Sequence, residues 1–220
     1  MNIGKLPRKR FLAKVFLSAL ATCSWIACQP PPVSLARGPR EYVSSDYQQV
    51  LKKWTRTSHL VSFDQLDDLL TVTATYESFD FRWAYVVRYA YDYQLTIEQR
   101  QALFDENARQ ADEIHEFFVA LYGPKWRWSD LTDERSAWVV RLIDDKGNQT
   151  YPSEIIPVRK PGALEQVYFP YATDWRRVYR IRFPTKRPDG TVVIPATARW
   201  IGLRFSGPQG SNELRWRLTQ

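Results

Sequence analysis

Glu213-Leu214-Arg215-Trp216-Arg217-Leu218 (ELRWRL) alternates without a break. Leu214, Trp216 and Leu218 lie on one side, Glu213, Arg215 and Arg217 on the other. A period of two is the spacing of a β-strand that buries one face and wets the other. Leu69 to Tyr76 (LLTVTATY) repeats it, with Leu70, Val72, Ala74 and Tyr76 opposing Thr71, Thr73 and Thr75. Further matches are Trp138, Val140 and Leu142; then Tyr179, Ile181 and Phe183 against Val178, Arg180 and Arg182; then Val192 to Ile194; then Ile201, Leu203 and Phe205. Phe117 to Tyr122 is a short apolar run stopped by Gly123-Pro124. Between these runs stand the turn-forming DDKGN (144–148), Pro188-Asp189-Gly190 and Gly207-Pro208-Gln209-Gly210. Residues 115–220 are therefore expected to be strand-rich and antiparallel, each sheet wet on its arginine face.

The period changes twice. Tyr47, Val50, Leu51 and Trp54 fall at helical spacing behind Ser45 or Asp46, which predicts a short N-terminal helix. Phe79, Trp83, Val86, Val87 and Ala90 form one helical face behind Ser78. Thr96-Ile97-Glu98-Gln99 is a capping box that opens a second helix toward Ala111. Its apolar stripe (Leu103, Phe104, Ala108, Ala111) is thin, so that helix belongs on the surface. Residues 78–112 read as a helical hairpin inserted between strands. The expected fold is α+β: one domain over 44–220, an antiparallel β-sandwich of immunoglobulin-like character with an N-terminal helix and an inserted hairpin.

The N-terminal region reads differently. Lys5, Arg8, Lys9, Arg10 and Lys14 precede the apolar run Val15 to Ala27 (VFLSALATCSWIA), which is too short to span a bilayer. Residues 1–27 are expected to be an export signal. Cys28 and Gln29-Pro30-Pro31-Pro32 follow, and 28–43 reads as an extended, proline-rich tether. At about 3.1 Å per residue, its stretch from Gln29 to Arg40 would lift a body roughly 35 Å. The chain carries a formal charge of +7, but 1–27 supplies five of the basic residues, and 28–220 holds 26 basic against 24 acidic. That balance removes the electrostatic case for nucleic acid.

Trp25-Ile26-Ala27-Cys28 resembles the cleavage box of Gram-negative bacterial lipoproteins. Leu20-Ala21-Thr22-Cys23 matches its outer positions, and Ala19-Leu20-Ala21 would suit ordinary secretion. The resemblance implies cleavage before Cys28, acylation of its sulfur and, with Gln29 rather than Asp next, passage to the outer membrane. Acylation would leave no thiol in 29–220, hence no disulfide and no thiolate metal site.

Candidate chemistry is sparse. Asp112, Glu113, His115 and Glu116 resemble half of a zinc-protease helix, but position 119 is Val119. Ser58, His59 and Asp64 contain triad residue types without a nucleophile elbow. Asp130, Asp133 and Glu134 beside Trp126 and Trp128 hold the paired carboxylates and flat rings that sugar chemistry uses. Trp175, Arg177, Tyr179, Arg180 and Arg182, with Arg176, form an arginine–aromatic stretch of the kind enriched at protein interfaces. The expected role is a non-enzymatic, lipid-anchored envelope protein without cofactor or metal, acting through protein or surface contacts at that stretch. A cell-surface carbohydrate-binding module is the alternative, and a hydrolase is third.

Overall fold

A computed structural model, which describes residues 30–62, 68–124 and 126–219, holds four helices and nine strands among them. Helix α1 (Tyr47–Trp54) leads directly into β1 (Thr55–Val61), and β2 (Asp68–Tyr76) pairs antiparallel with it. Helices α2 (Phe79–Asp92) and α3 (Ile97–Glu113) follow, then β3 (Ile114–Tyr122), which returns beside β2. After a 3-10 turn at Trp126–Ser129 come β4 (Val139–Asp144), β5 (Gln149–Thr150), β6 (Glu154–Val158), α4 (Ala163–Tyr168), β7 (Arg177–Pro184), β8 (Trp200–Gly207) and β9 (Gly210–Arg217). The strands form two antiparallel sheets, ordered β1-β2-β3-β7-β6 and β5-β4-β8-β9. The protein is α+β, and from Pro32 onward the described residues form one compact unit.

Strand β9 behaves as its alternation requires: Leu214 and Trp216 are buried while Arg215 and Arg217 are exposed. Trp216 joins the sheets, its ring centroid 5.4 Å from that of Phe117 and its Nε1 donating to the Trp54 carbonyl at 2.8 Å. Gly207 and Gly210 close the β8–β9 hairpin, and Gly210 at φ +128° needs the freedom of a residue without Cβ. The hairpin caps also form as read. Ser78 accepts from the Phe81 N–H, and Thr96 and Gln99 complete a reciprocal capping box. Only Ala111 of α3 is buried, so that helix lies on the surface.

Several expectations are corrected. In β2, Thr71, Thr73 and Thr75 are as buried as the apolar face: the segment between α4 and β7 covers Thr73 and Thr75, and Thr71 is bonded to His59 and Asp68. Tyr171 bonds Thr75 at 2.6 Å and Arg176 donates to Thr73 at 3.0 Å. Residues 192–194 form no strand; Val193 is buried from a loop and bonds Thr185. Strand β1 went unread because its residues are polar and only Arg56 is buried, as suits a sheet edge.

The expected tether over 28–43 is also shorter. Val33 is 0% exposed, its N–H donating to Arg217 O and its carbonyl accepting from Thr219 N. Arg37 is bonded to Asp112 and to the Ala111 carbonyl, and Arg40 to Asp80. From Val33 onward the segment is laid on the body, because a buried valine and two paired arginines outweigh the freedom of an open chain. Cys28 and the signal-like residues 1–27 lie outside the described residues.

Candidate functional site

Strand β7 sends its arginines and aromatics to two different places, because neighbouring residues of a strand point to opposite faces. Arg180 and Arg182 face the helical hairpin. Arg182 Nε donates to Glu116 at 3.0 Å and its Nη1 to Glu154 at 2.9 Å. Arg180 Nη1 donates to Glu77 at 2.9 Å and lies 3.8 Å from Glu116. Arg82, buried at the start of α2, donates to Glu116 at 2.7 Å and to Asn107 and Gln110 of α3. These charges surround a cavity of about 280 Å³ between hairpin and sheet. Burial pushes the Glu116 carboxyl up, but Arg82, Arg180 and Arg182 outweigh it, so the net direction is down and the group stays ionised. The arginine face expected to be wet is therefore half-covered and neutralised.

Arg177 and Tyr179 point the other way. Arg177 Nη1 donates to Asp130 at 2.8 Å and Nε to the Trp126 carbonyl at 3.0 Å. Its guanidinium stacks 4.2 Å from the Trp126 ring centroid. Tyr179 is buried, and its hydroxyl accepts from Leu131 N and lies 3.3 Å from Asp130 Oδ1. Trp175 is 81% exposed on the turn before β7. The five residues read as one patch thus do not form one exposed surface.

Arg177 and Tyr179 instead join residues from distant parts of the chain around an open cleft of about 560 Å³. Trp126 comes from the 3-10 turn and Asp130 from just after it, Arg159 and Lys160 from the loop after β6, Asp174 and Arg176 from the segment before β7. Burial pushes Asp130 up, but hydrogen bonds from Thr132 and the charge of Arg177 pull it below the ordinary carboxylate range. Arg159 and Lys160 were not singled out in sequence. Their only signal was basic character in a loop, and β6 and α4 had to be placed before that loop could be brought to β7.

The remaining candidates are separated by the same strand geometry. Ser58 and His59 are adjacent in β1 and so face opposite ways; Asp64 lies outside the described residues. His59 Nδ1 bonds Thr71 at 2.9 Å, with Asp68 3.9 Å away. Asp112 and Glu113 end α3, whereas His115 and Glu116 lie on opposite faces of β3. Among the described residues no three His, Cys, Asp or Glu side chains gather as a metal site. Asp133 caps the Arg135 N–H, while Asp130 is committed to Arg177. Trp126 and Trp128 remain on the 3-10 turn, half exposed.

Asp80 was missed entirely, because one acid in a helix's first turn looks like an ordinary dipole partner. It is 3% exposed and accepts from Arg40, Tyr42, Lys53 and Trp54, at 2.8 to 2.9 Å. Burial raises its pKa, but those hydrogen bonds outweigh burial and the net direction is down.

These groups set a pH dependence. Burial pushes the His115 imidazole down to about 4, with Arg37 adding to it, while Nδ1 shares a 2.9 Å hydrogen bond with Tyr76. The unfolded chain takes this proton near pH 6.5 and the folded one only near 4. Stability is then expected to be complete above pH 6.5 and to fall by about 3 kcal/mol down to pH 4. Asp80 and Glu116 have lowered pKa values in the fold, so their contribution holds above the unfolded carboxylate range and disappears at still lower pH. Urea titrations at stepped pH should show the first loss vanish in His115→Gln while the second persists. A first loss of equal size in both proteins would refute the assignment.

No family model, curated protein or solved structure matches this chain.

Proposed function

We propose that this is a lipid-anchored, non-enzymatic protein of the bacterial outer membrane, held through Cys28 and making its contacts at the Trp126–Arg177 cleft. The anchor rests on the sequence pattern ending at Cys28. The cleft carries the contact role: Arg159 and Lys160 are exposed there and enter no ion pair among the described residues. Elsewhere Asp80 and Glu116 are held ionised by arginine or lysine and His115 is held neutral by burial, so these groups are poorly poised for proton transfer near neutrality. No helix among the described residues is long and apolar enough to cross a membrane. The same reading takes the two sheets as a sandwich of immunoglobulin-like character, supported by one core that draws Phe117 and Ile181 from one sheet and Leu203 and Trp216 from the other.

Docking of Val33 makes the anchor tight. The five residue steps from Cys28 to Val33 span at most about 18 Å, so the body would sit on the bilayer rather than well above it. Each buried methylene of an acyl chain contributes about 0.8 kcal/mol, enough for two or three chains to hold it there. Intact mass and detergent partitioning test the anchor. Wild type should start at Cys28, carry acyl mass and enter the detergent phase, whereas Cys28→Ala should remain aqueous. Unacylated wild type in the aqueous phase would end the proposal.

A further inference from the structure

We infer that the Trp126–Arg177 cleft binds an acidic oligosaccharide, its sugar rings against Trp126 and its carboxylates on Arg159 and Lys160. This rests on the reading of that cleft as the contact site and names its ligand class.

Charge comes first. Arg159, Lys160, Arg176 and Arg177 line the cleft with two carboxylates, Asp130 and Asp174. Arg177 and Asp130 neutralise each other at 2.8 Å. The Arg176 guanidinium is turned toward β2, donating to the buried Thr73 hydroxyl at 3.0 Å. Arg159 and Lys160 against Asp174 leave the cleft a surplus of positive charge facing water. A single exposed ion pair contributes little, so a useful anion must meet more than one cation at once. A polymer with a charge on each repeating unit does so.

The aromatic wall comes second. Trp126 is 50% exposed and lines the cleft, while Arg177 stacks on its ring and limits its rotation. A fixed indole offers an electron-rich face to the C–H face of a pyranose ring at little entropic cost. The cleft volume of about 560 Å³ falls within the range of small-ligand sites.

An extended acidic peptide fits less well. It would add to a free sheet edge, and β6 is such an edge along this cleft. Pro157 interrupts that edge where it lines the cleft and offers no N–H to a new strand. Asp174 is exposed, with no hydrogen bond or ion pair among the described residues. It would repel clustered carboxylates, yet it can accept from sugar hydroxyls, which a uronic acid supplies beside its charge.

The test is calorimetric titration of the full-length protein in detergent with trigalacturonate, maltotriose and a hexaglutamate peptide. Trigalacturonate should bind at least tenfold more tightly than either of the others. Arg159→Glu with Lys160→Glu should weaken it at least tenfold, and Trp126→Ala at least fivefold, with unchanged far-ultraviolet circular dichroism. Equal binding of hexaglutamate, abolished by the charge reversals, would overturn the saccharide and leave the cleft as the contact site. Equal binding of maltotriose would overturn the acidic character of the ligand. Binding of none of the three, or binding indifferent to every cleft substitution, would overturn both the ligand and the contact role of the cleft.

Discussion

Glu116→Ala is expected to destabilise the fold by about 3–5 kcal/mol, the usual cost of removing one partner from a buried charge network. Glu116 is 2% exposed and accepts from Arg82 and Arg182. Without it, Arg82 keeps its charge under the hairpin with Glu77 as the remaining carboxylate, 3.6 Å away. The α2–α3 hairpin should loosen first, since Arg82 ties β3 to Asn107 and Gln110 of α3. Urea denaturation gives the free energy, and amide exchange should show protection falling in 97–113 before it falls in β3. Pairing the change with Arg82→Met should recover part of the loss, because it removes the charge that Glu116→Ala leaves uncompensated under the hairpin. A loss under about 1 kcal/mol in the single variant would contradict a network that bears on stability.

Trp216→Ala should cost a comparable amount, about 3–5 kcal/mol. The indole is fully buried, packs on Phe117 and Tyr76, and lies beneath the Arg56 guanidinium at 5.9 Å. Its N–H reaches the Trp54 carbonyl, so removal also leaves a buried acceptor at the end of α1. Trp216→Phe separates the two contributions: it keeps most of the packing and should cost about 1–2 kcal/mol, near the price of one buried hydrogen bond. Thermal melting with denaturant titration measures both. Equal losses for the two variants would show that the hydrogen bond, rather than the ring, joins the sheets.

What could be read from the sequence was local. The alternation of Leu214 and Trp216, the Thr96 capping box and the stop at Gly123-Pro124 each act within a few residues, so pattern and element agree. Strand β1 escaped because an edge strand of Thr, Arg, Ser and His carries little apolar periodicity. The arginine–aromatic stretch escaped in another way. Its residue types were visible, but whether a neighbour covers them depends on what packs there. Arg180 meets Glu77, far away in the chain, while Arg177 meets Asp130.

The alternation of β9, the caps of α2 and α3, the surface character of α3 and the near-neutral charge of 28–220 follow from the residues themselves, since periodicity, caps and charge are properties of short stretches. Tertiary structure decided the rest. It buried the threonine face of β2, fastened Val33 to the body, paired Arg180 and Arg182 with buried glutamates, and brought Arg159 and Lys160 beside Trp126. Each of those outcomes joins segments distant in the chain. Burial and Coulomb attraction act through space, and a short stretch carries no record of its distant neighbour.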